Sequence, residues 1–263
     1  MNIISKNRPR KESCDRPMKS CGESNNTIVF GSFEPPLSIT MDDLSLSMVT
    51  EDGTVSYTRE QGKELVEKTL LSEKCRIMIH PVEPVNLPRN ITSYLLVEFD
   101  RPLMVPPRSS SLVYLTFPVE IGVFVAGGKE VDVVDIFSFV RPKFTQYGDL
   151  TRGYICRYWR SAVTTQIPET DPLKDGVLHL EVSNPTQEWV ELTKVVLNTY
   201  EMKIFFADDL VSAKAVTRIL KEGMAEADFI DSPTRKGMEH SIELFKSRKN
   251  TVMSRKFVME GGL

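Results

Sequence analysis

The most strand-like part of the chain is the segment Ser111–Val163, and it constrains the possible folds more than any other stretch. Apolar side chains recur at every second position there, as in Val119–Val125. This alternation is typical of a strand that buries one face. Pro118 and the pair Gly127–Gly128 interrupt the pattern, and such residues mark kinks, sheet crossings or hairpin turns. The segment therefore predicts neighbouring antiparallel strands, with a kink, a bulge or a crossing from one sheet to another at Pro118.

The same pattern recurs along the chain. Leu44–Met48 and Val55–Tyr57 alternate on either side of Asp52–Gly53, which predicts a hairpin with a type I′ turn. Residues 61–72 fit either a short helix or an edge strand, and residues 213–230 fit either a helix or a hairpin. The predicted fold class is mainly β: antiparallel β-sandwich or barrel units with one or two short peripheral helices.

Four parts are expected along the chain. Residues 1–26 are polar and basic with little to bury, which predicts a disordered tail. Residues 27–105 and 106–231 are expected to form an N-terminal β subdomain and a central β-sandwich, because a proline- and serine-rich connector follows Val105. Residues 232–263 are expected to form a short amphipathic helix and a second basic tail.

Composition narrows the class of protein. The 263 residues are 41% hydrophobic and 26% charged, with a formal net charge of -3, so the chain as a whole has no excess positive charge to attract nucleic acid or membrane. No apolar run approaches the ~20 residues of a membrane helix, and the first residues do not resemble a secretory signal. We therefore expect a soluble cytoplasmic protein.

Metal and cofactor motifs are missing from the sequence. No close pair of cysteines or histidines has the spacing of a zinc site, and neither a phosphate-binding glycine loop nor a hydrolase nucleophile motif occurs. No metal and no cofactor are predicted. His80 and Glu83 are two potential ligands separated by a proline, and a hydrogen-bonded loop histidine is the favoured interpretation of His80. Cys156 follows a strand pattern and is interpreted as a core cysteine.

Several short runs resemble one family. They are Pro81–Pro88, the run Pro118-Val-Glu-Ile-Gly-Val, the run Tyr147-Gly-Asp and above all Tyr154–Ser161. Together they resemble an uncharacterised archaeal family, a domain of unknown function found in methanogens, over residues 28 to 245. The resemblance implies an archaeal, cytoplasmic setting. It implies no reaction and no catalytic residues.

The candidate polar cluster consists of Glu120, Asp135 and Arg157. If Gly127–Gly128 are the central residues of a tight turn, Glu120 lies opposite Asp135 on the face that carries Phe124. Opposed like charges destabilise a sheet, and burial raises the cost. Arg157 is the predicted compensating cation, since a guanidinium can bridge two carboxylates.

This predicted cluster has two interpretations. It is either a buried ion cluster that fixes the strand register or a site where a carboxylate keeps a proton or a cation binds. A second candidate is an aromatic and basic surface at Tyr158 and Arg160, which could stack on nucleic-acid bases. The competing interpretation of that surface is an ordinary solvated arginine on a strand.

Three functions follow from these observations. The first is a β-rich binding or protein-interaction module without a catalytic motif, with an unknown protein partner or a second copy of the chain. The second is a hydrolase that uses Glu120 and Asp135 as a carboxylate pair. The third is a peripheral protein that contacts nucleic acid or an anionic membrane through its basic termini.

Overall fold

The computed structural model describes residues 30–41, 43–72, 75–127, 130–244, 257–260 and 262–263. Within these residues the chain forms nineteen strands and one short 3₁₀ helix, Thr199–Glu201, so the predicted mainly-β class is confirmed. The strands are β1 Gly31–Phe33, β2 Leu37–Met41, β3 Leu44–Glu51, β4 Thr54–Gln61, β5 Glu64–Leu70, β6 Arg76–Val82, β7 Tyr94–Val105, β8 Ser109–Pro118, β9 Glu120–Gly127, β10 Glu130–Phe137, β11 Phe144–Tyr147, β12 Tyr154–Ser161, β13 Asp175–Asn184, β14 Val190–Asn198, β15 Phe205–Ala207, β16 Leu210–Lys221, β17 Met224–Ile230, β18 Glu239–His240 and β19 Phe257–Met259.

The strands form four open sheets. One has the order β1-β6-β9-β10, a second β11-β12-β7-β14 and a third β2-β3-β4-β5. The largest has the order β18-β15-β16-β13-β8, and β17 and β19 extend it from β16. The sheets bury their apolar faces in one large core, and a smaller apolar cluster lies on the other face of β6 and β9.

Two strand pairs are parallel, β7 with β12 and β13 with β16. Sequence alternation reports which face of a strand is buried but not the direction of its neighbour, which is why the sequence predicted antiparallel units throughout. Strands from both sides of position 105 share two of the sheets. The predicted division at 105/106 therefore does not coincide with a division between sheets.

The predicted turns agree well with the structure. Asp52 and Gly53 both have positive φ, 48° and 79°, as a type I′ turn requires, and they join β3 to β4. Residues 61–72 contain the edge strand β5 rather than a helix. Residues 213–230 lie in the β16–β17 hairpin, with Gly223 at a φ of 71°.

The terminal predictions fall partly outside the described residues. The predicted tail, residues 1–26, lies wholly outside them. The helix was predicted through Met238, Ile242 and Phe245. β18 and irregular backbone occupy residues 238–243, so no helix runs through Met238 and Ile242, whereas Leu244 is helical and Phe245 lies outside the described residues. Residues 245–256 are not described.

The chain crosses between sheets at Pro118, which is one of the three interpretations that the sequence left open there. β8 ends at Pro118 in the largest sheet, and β9 begins at Glu120 in the β1-β6-β9-β10 sheet. The linking residue, Val119, donates its N–H to the Lys174 carbonyl at 2.8 Å. The crossing carries Glu120 into the interior, where its side chain has no exposed surface.

Candidate functional site

The structure separates two residues that the sequence paired. Asp135 lies opposite Val123, not opposite Glu120, so the predicted pairing is wrong. The first pair of this hairpin, Gly127 with Glu130, is shifted by two from the predicted register, and a bulge between Val133 and Asp135 then adds one more residue. A bulge of one residue turns the following side chains to the other face. Asp135 therefore faces the large core, while Glu120 lies on the face of Phe124.

Asp135 belongs to a fully bonded network with β4. Its Oδ2 accepts hydrogen bonds from Arg59 Nε at 2.6 Å and from the Tyr57 hydroxyl at 2.8 Å, and its Oδ1 accepts the Ile136 N–H at 2.9 Å. The other guanidinium nitrogens of Arg59 reach Glu64 at 3.2 and 3.4 Å. We name this the Arg59–Asp135 network, and it ties the β2–β5 sheet to β10.

Sequence reasoning missed Tyr57 and Arg59 as partners of Asp135. A signal was present, because Val55, Tyr57 and Arg59 occupy one face of β4 and all three are buried. An arginine at a core position of an alternating strand needs a buried acceptor. The bulge at Val134, whose carbonyl accepts from Lys68 Nζ, has no comparable signal in the alternation.

Glu120 is only partly bonded. It lies opposite Val82, at the end of β6. Its Oε2 accepts the Asn86 N–H at 2.9 Å, whereas its Oε1 is buried without a hydrogen-bond partner in the described part of the chain. Burial raises the pKa of Glu120 to about 7, against the lowering effects of hydrogen bonds from the Asn86 N–H, the Asn86 side chain and the Leu87 N–H and of the charge of Arg157.

Glu83 follows β6 and lies beside Glu120. Two residues of the following loop hydrogen-bond to the Glu83 carbonyl, which accepts from Val85 N at 2.9 Å and from Asn86 Nδ2 at 2.6 Å. Glu83 Oε2 is buried without a partner among the described residues. Burial raises the pKa of Glu83 to about 8, and the charges of Glu243 and Glu120 add to the rise.

Arg157 approaches Glu120 from β12. Two neighbours on its face hold this strand against β8: Trp159 Nε1 donates to Thr116 Oγ1 at 3.0 Å, and Ser161 Oγ accepts the Thr116 N–H at 2.7 Å. Arg157 is 1% exposed. Burial lowers its pKa, and the charge of Glu120 opposes that shift.

Two of the guanidinium nitrogens of Arg157, Nε and Nη1, have no hydrogen-bond partner in the described part of the chain. With Glu83 and Glu120 they form what we name the Glu83–Glu120–Arg157 cluster. Buried polar atoms are nearly always hydrogen-bonded. Four unpartnered side-chain atoms on three interacting residues therefore mark this cluster as the candidate functional site.

The segment Glu239–Leu244 packs over this cluster. The Ile242 N–H donates to His80 Nδ1 at 3.3 Å, and the Leu244 N–H donates to the Glu83 carboxyl group. Glu243 Oε2 forms an ion pair with Lys203 Nζ at 2.6 Å. Burial lowers the pKa of His80 to about 4, so His80 is neutral. It is hydrogen-bonded as predicted, but it lies in β6 opposite Gly122 and not in a loop.

A metal centre is not apparent in the described ranges, where no group of three or more histidine, cysteine or acidic residues is arranged to hold a metal ion. Cys156 is buried, and burial raises the pKa of its thiol to about 12.

Arg160 is exposed on β12 opposite Glu98, and Lys194 lies on the far side of Glu98. An acidic residue thus stands within the candidate surface of Tyr158 and Arg160.

The fold and the cluster define a class: a mainly-β protein with a buried, incompletely bonded acid–arginine cluster and no recognised catalytic motif in its sequence. The chain belongs to the family described as protein of unknown function (DUF432), which matches residues 29–260. No curated protein and no solved structure matches the chain. Within the described residues, no helix is long and apolar enough to cross a membrane.

Proposed function

We propose that this protein is a non-enzymatic binding module that takes up a small polar ligand at the Glu83–Glu120–Arg157 cluster. One observation carries the proposal: Glu83 Oε2, Glu120 Oε1 and two nitrogens of Arg157 are buried without partners in the described part of the chain. Leaving such groups unbonded costs about 1–3 kcal/mol each, and more for a charged group. A ligand that bonded them would recover that free energy on binding.

The Arg59–Asp135 network supports this interpretation by contrast. Arg59 and Arg157 are equally buried, at 1% exposure each, but every guanidinium nitrogen of Arg59 has an acceptor. The fold therefore satisfies a buried arginine where its role is to join two sheets. The different treatment of Arg157 favours recognition over structural support.

The carboxylate pair that the hydrolase hypothesis requires is not formed. It required Glu120 and Asp135 as a carboxylate pair, and these residues extend from opposite faces of the β9–β10 hairpin. The nucleic-acid and membrane hypothesis depends on basic termini that lie mostly outside the described residues, and it stays a prediction. An archaeal, cytoplasmic setting remains part of the proposal on the strength of the sequence resemblance.

Ligand-induced thermal stabilisation tests the proposal. The full chain is heated with millimolar organic acids, phosphates, amines, sugars and metal salts at constant ionic strength. At least one class should raise the unfolding temperature of the wild type by several degrees. At least one of the variants Glu120→Gln, Glu83→Gln and Arg157→Lys should lose most of that shift, whereas Arg160→Met, which changes an exposed arginine on the same strand as Arg157, should retain it.

Two results would sink the proposal. One is a panel in which no class shifts the unfolding temperature of the wild type. The other is a shift that is equal in the wild type, Glu120→Gln, Glu83→Gln and Arg157→Lys proteins, because binding would then occur elsewhere.

A protein partner or a second copy of the chain is the second candidate. The observation that favours it is β5, an edge strand whose Leu65 is 56% exposed. An unpaired edge can add a strand from a partner, although the charges of Glu64 and Glu67 on β5 are of the kind that protects edges. Light scattering of the wild type and a Leu65→Lys variant separates these outcomes: a dimer lost in the variant supports the candidate, and a monomer at all concentrations excludes the second copy.

A further inference from the structure

We infer that the ligand presents a carboxylate group to Arg157, and that Glu120 takes up a proton as the ligand binds. This inference rests on the proposed function, since it names the chemistry that the Glu83–Glu120–Arg157 cluster recognises. It is carried by geometry: Glu83 directly follows Val82, the residue opposite Glu120, and an oxygen of each carboxyl group and two nitrogens of Arg157, Nε and Nη1, are buried without a hydrogen-bond partner in the described part of the chain.

The charge balance of the cluster favours an anion with a single negative charge. Arg157 supplies one positive charge, and the nearby Lys203 is already paired with Glu243 at 2.6 Å. A buried charge is tolerated only when it is paired. A monovalent carboxylate matches one guanidinium, whereas a divalent phosphate would leave a buried negative charge in excess.

The hydrogen-bonding groups favour an acceptor. Nε and Nη1 of Arg157 can only donate, and a protonated glutamic acid also donates through its hydroxyl. A carboxylate accepts through both oxygens and forms strong, charge-assisted bonds to a guanidinium. A metal cation or an amine could bond Glu83 and Glu120 but would bring a second positive charge close to Arg157.

Proton uptake follows from the position of Glu120. In the unliganded protein burial opposes the ionised form of Glu120, whereas hydrogen bonds from Asn86 and Leu87 and the charge of Arg157 favour it. A bound carboxylate competes for Arg157 and adds a like charge, so Glu120 binds a proton from solvent. Among the described residues, the other titratable or charged groups near this region are His80, which is neutral, the paired Lys203 and Glu243, and His240, whose Nε2 lies 3.5 Å from Glu243 Oε1.

Entry requires the segment Ser241–Leu244 to move. Ser241 Oγ donates to the Pro81 carbonyl, the Ile242 N–H to His80 and the Leu244 N–H to Glu83. These contacts cover the cluster with a short stretch of irregular backbone. Hydrogen exchange of the Ile242 and Leu244 amides should therefore slow when the ligand is bound.

Isothermal titration calorimetry with sodium acetate tests the inference. The full wild-type chain is titrated between pH 6 and pH 8.5 in buffers of different ionisation enthalpy, which gives the number of protons taken up. Acetate affinity should fall as the pH rises through 7 and 8, by up to about tenfold per pH unit for one linked proton. Uptake should approach one proton at pH 8 and be small at pH 6.

Matched variants localise the effect. Glu120→Gln should bind acetate without the proton uptake seen near pH 7. Arg157→Lys keeps the charge but loses the planar donors, and should weaken acetate binding at least about tenfold, whereas Arg160→Lys on the same strand should leave it unchanged. Should Arg157→Lys fail to fold, the proton count of the wild type decides alone.

The outcomes separate this inference from the proposed function. Binding of ammonium, magnesium or glycerol in place of acetate, tighter binding of phosphate or sulfate than of acetate, or acetate binding without proton uptake overturns the inference and leaves a binding module. A response to sodium acetate that is identical in the wild type and Arg157→Lys marks an adventitious additive only and also overturns it. The absence of binding by every class removes the proposed function as well.

Discussion

Arg59 Nε donates to Asp135 Oδ2 at 2.6 Å, a contact between residues 76 positions apart in the chain. It joins β4 of the β2–β5 sheet to β10, next to the bulge at Val134. The Arg59 guanidinium also lies over the Phe137 ring, 5.2 Å from its centroid. Asp135 therefore has a structural role. Glu120 interacts with other residues, Asn86 and Arg157.

Arg59→Met should destabilise the fold by about 3–5 kcal/mol, because it leaves the buried Asp135 carboxylate without its cation. Urea unfolding monitored by circular dichroism measures the change. Arg160→Met, at an exposed position, should change the free energy of unfolding by no more than about 0.5 kcal/mol. A cost below about 1 kcal/mol for Arg59→Met would contradict the role assigned to the network.

Stability should fall as the pH rises from 6.5 to 8. The pKa values of Glu83 and Glu120 are raised to about 8 and 7, so the folded chain holds these protons more tightly than the unfolded chain. The stabilisation present at low pH is therefore lost as the pH rises through these values. The pKa of His80 is lowered to about 4, and its opposite contribution is confined to pH values below 6.5.

Urea unfolding across this pH range checks the sign. Each carboxyl contributes a slope of at most about 1.4 kcal/mol per pH unit. The double variant Glu83→Gln, Glu120→Gln should flatten the dependence, and Glu67→Gln, at an exposed position on β5, should not. A wild-type stability that rises with pH over the same interval is the contrary result.

Gly122→Ala should destabilise the β6–β9 face by about 1–3 kcal/mol through overpacking. A Cβ at Gly122 would lie 2.6 Å from Cε2 of the buried Phe124 ring and 3.0 Å from Val82 Cγ1. The smaller side chain in Phe124→Leu should relieve the contact, so a double-mutant cycle should give a smaller cost for Gly122→Ala in that background. Equal costs in both backgrounds would show that the ring is not the obstacle.

Cys75 and Cys156 should resist alkylation in the folded protein. Both are buried, and burial raises the pKa of each thiol, to about 12 for Cys156. The thiolate is the reactive form. Iodoacetamide at pH 8 followed by peptide mass spectrometry should find both unmodified until urea unfolds the chain; rapid modification of Cys156 under native conditions would argue against a buried core thiol.

The sequence was sufficient for the features that depend on local pattern. The Asp52–Gly53 hairpin, the interruption of the strand at Pro118 and the burial of Glu120, Asp135 and Arg157 follow from alternation and turn chemistry. These are properties that neighbouring residues determine together. The pairing of Glu120 with Asp135 failed because the hairpin register is shifted by two, and the two side chains lie on opposite faces because one bulge residue reverses the face of every residue that follows it. Alternation reveals neither the register of a turn nor a bulge.

The contacts between distant segments were beyond such a pattern. Glu83 lies beside Glu120 because β6 pairs with β9. Arg157 lies near Glu120 because β12 packs against the end of β8, and the chain continues from there to Glu120. Register and sheet packing decide these encounters, and neither is a property of a short window of sequence. His80 and Glu83 attracted notice as weak metal ligands, whereas the structure gives Glu83 an acidic neighbour instead.

A pH titration of the side-chain carboxyl ¹³C resonances of Glu83 and Glu120 tests the central claim most directly. We expect inflections near pH 8 for Glu83 and near pH 7 for Glu120. Saturating unlabelled acetate should raise the pKa of Glu120. Inflections near the ordinary glutamate value of 4.5, unmoved by acetate, would contradict a buried, unsatisfied acid–arginine cluster and the ligand site built on it.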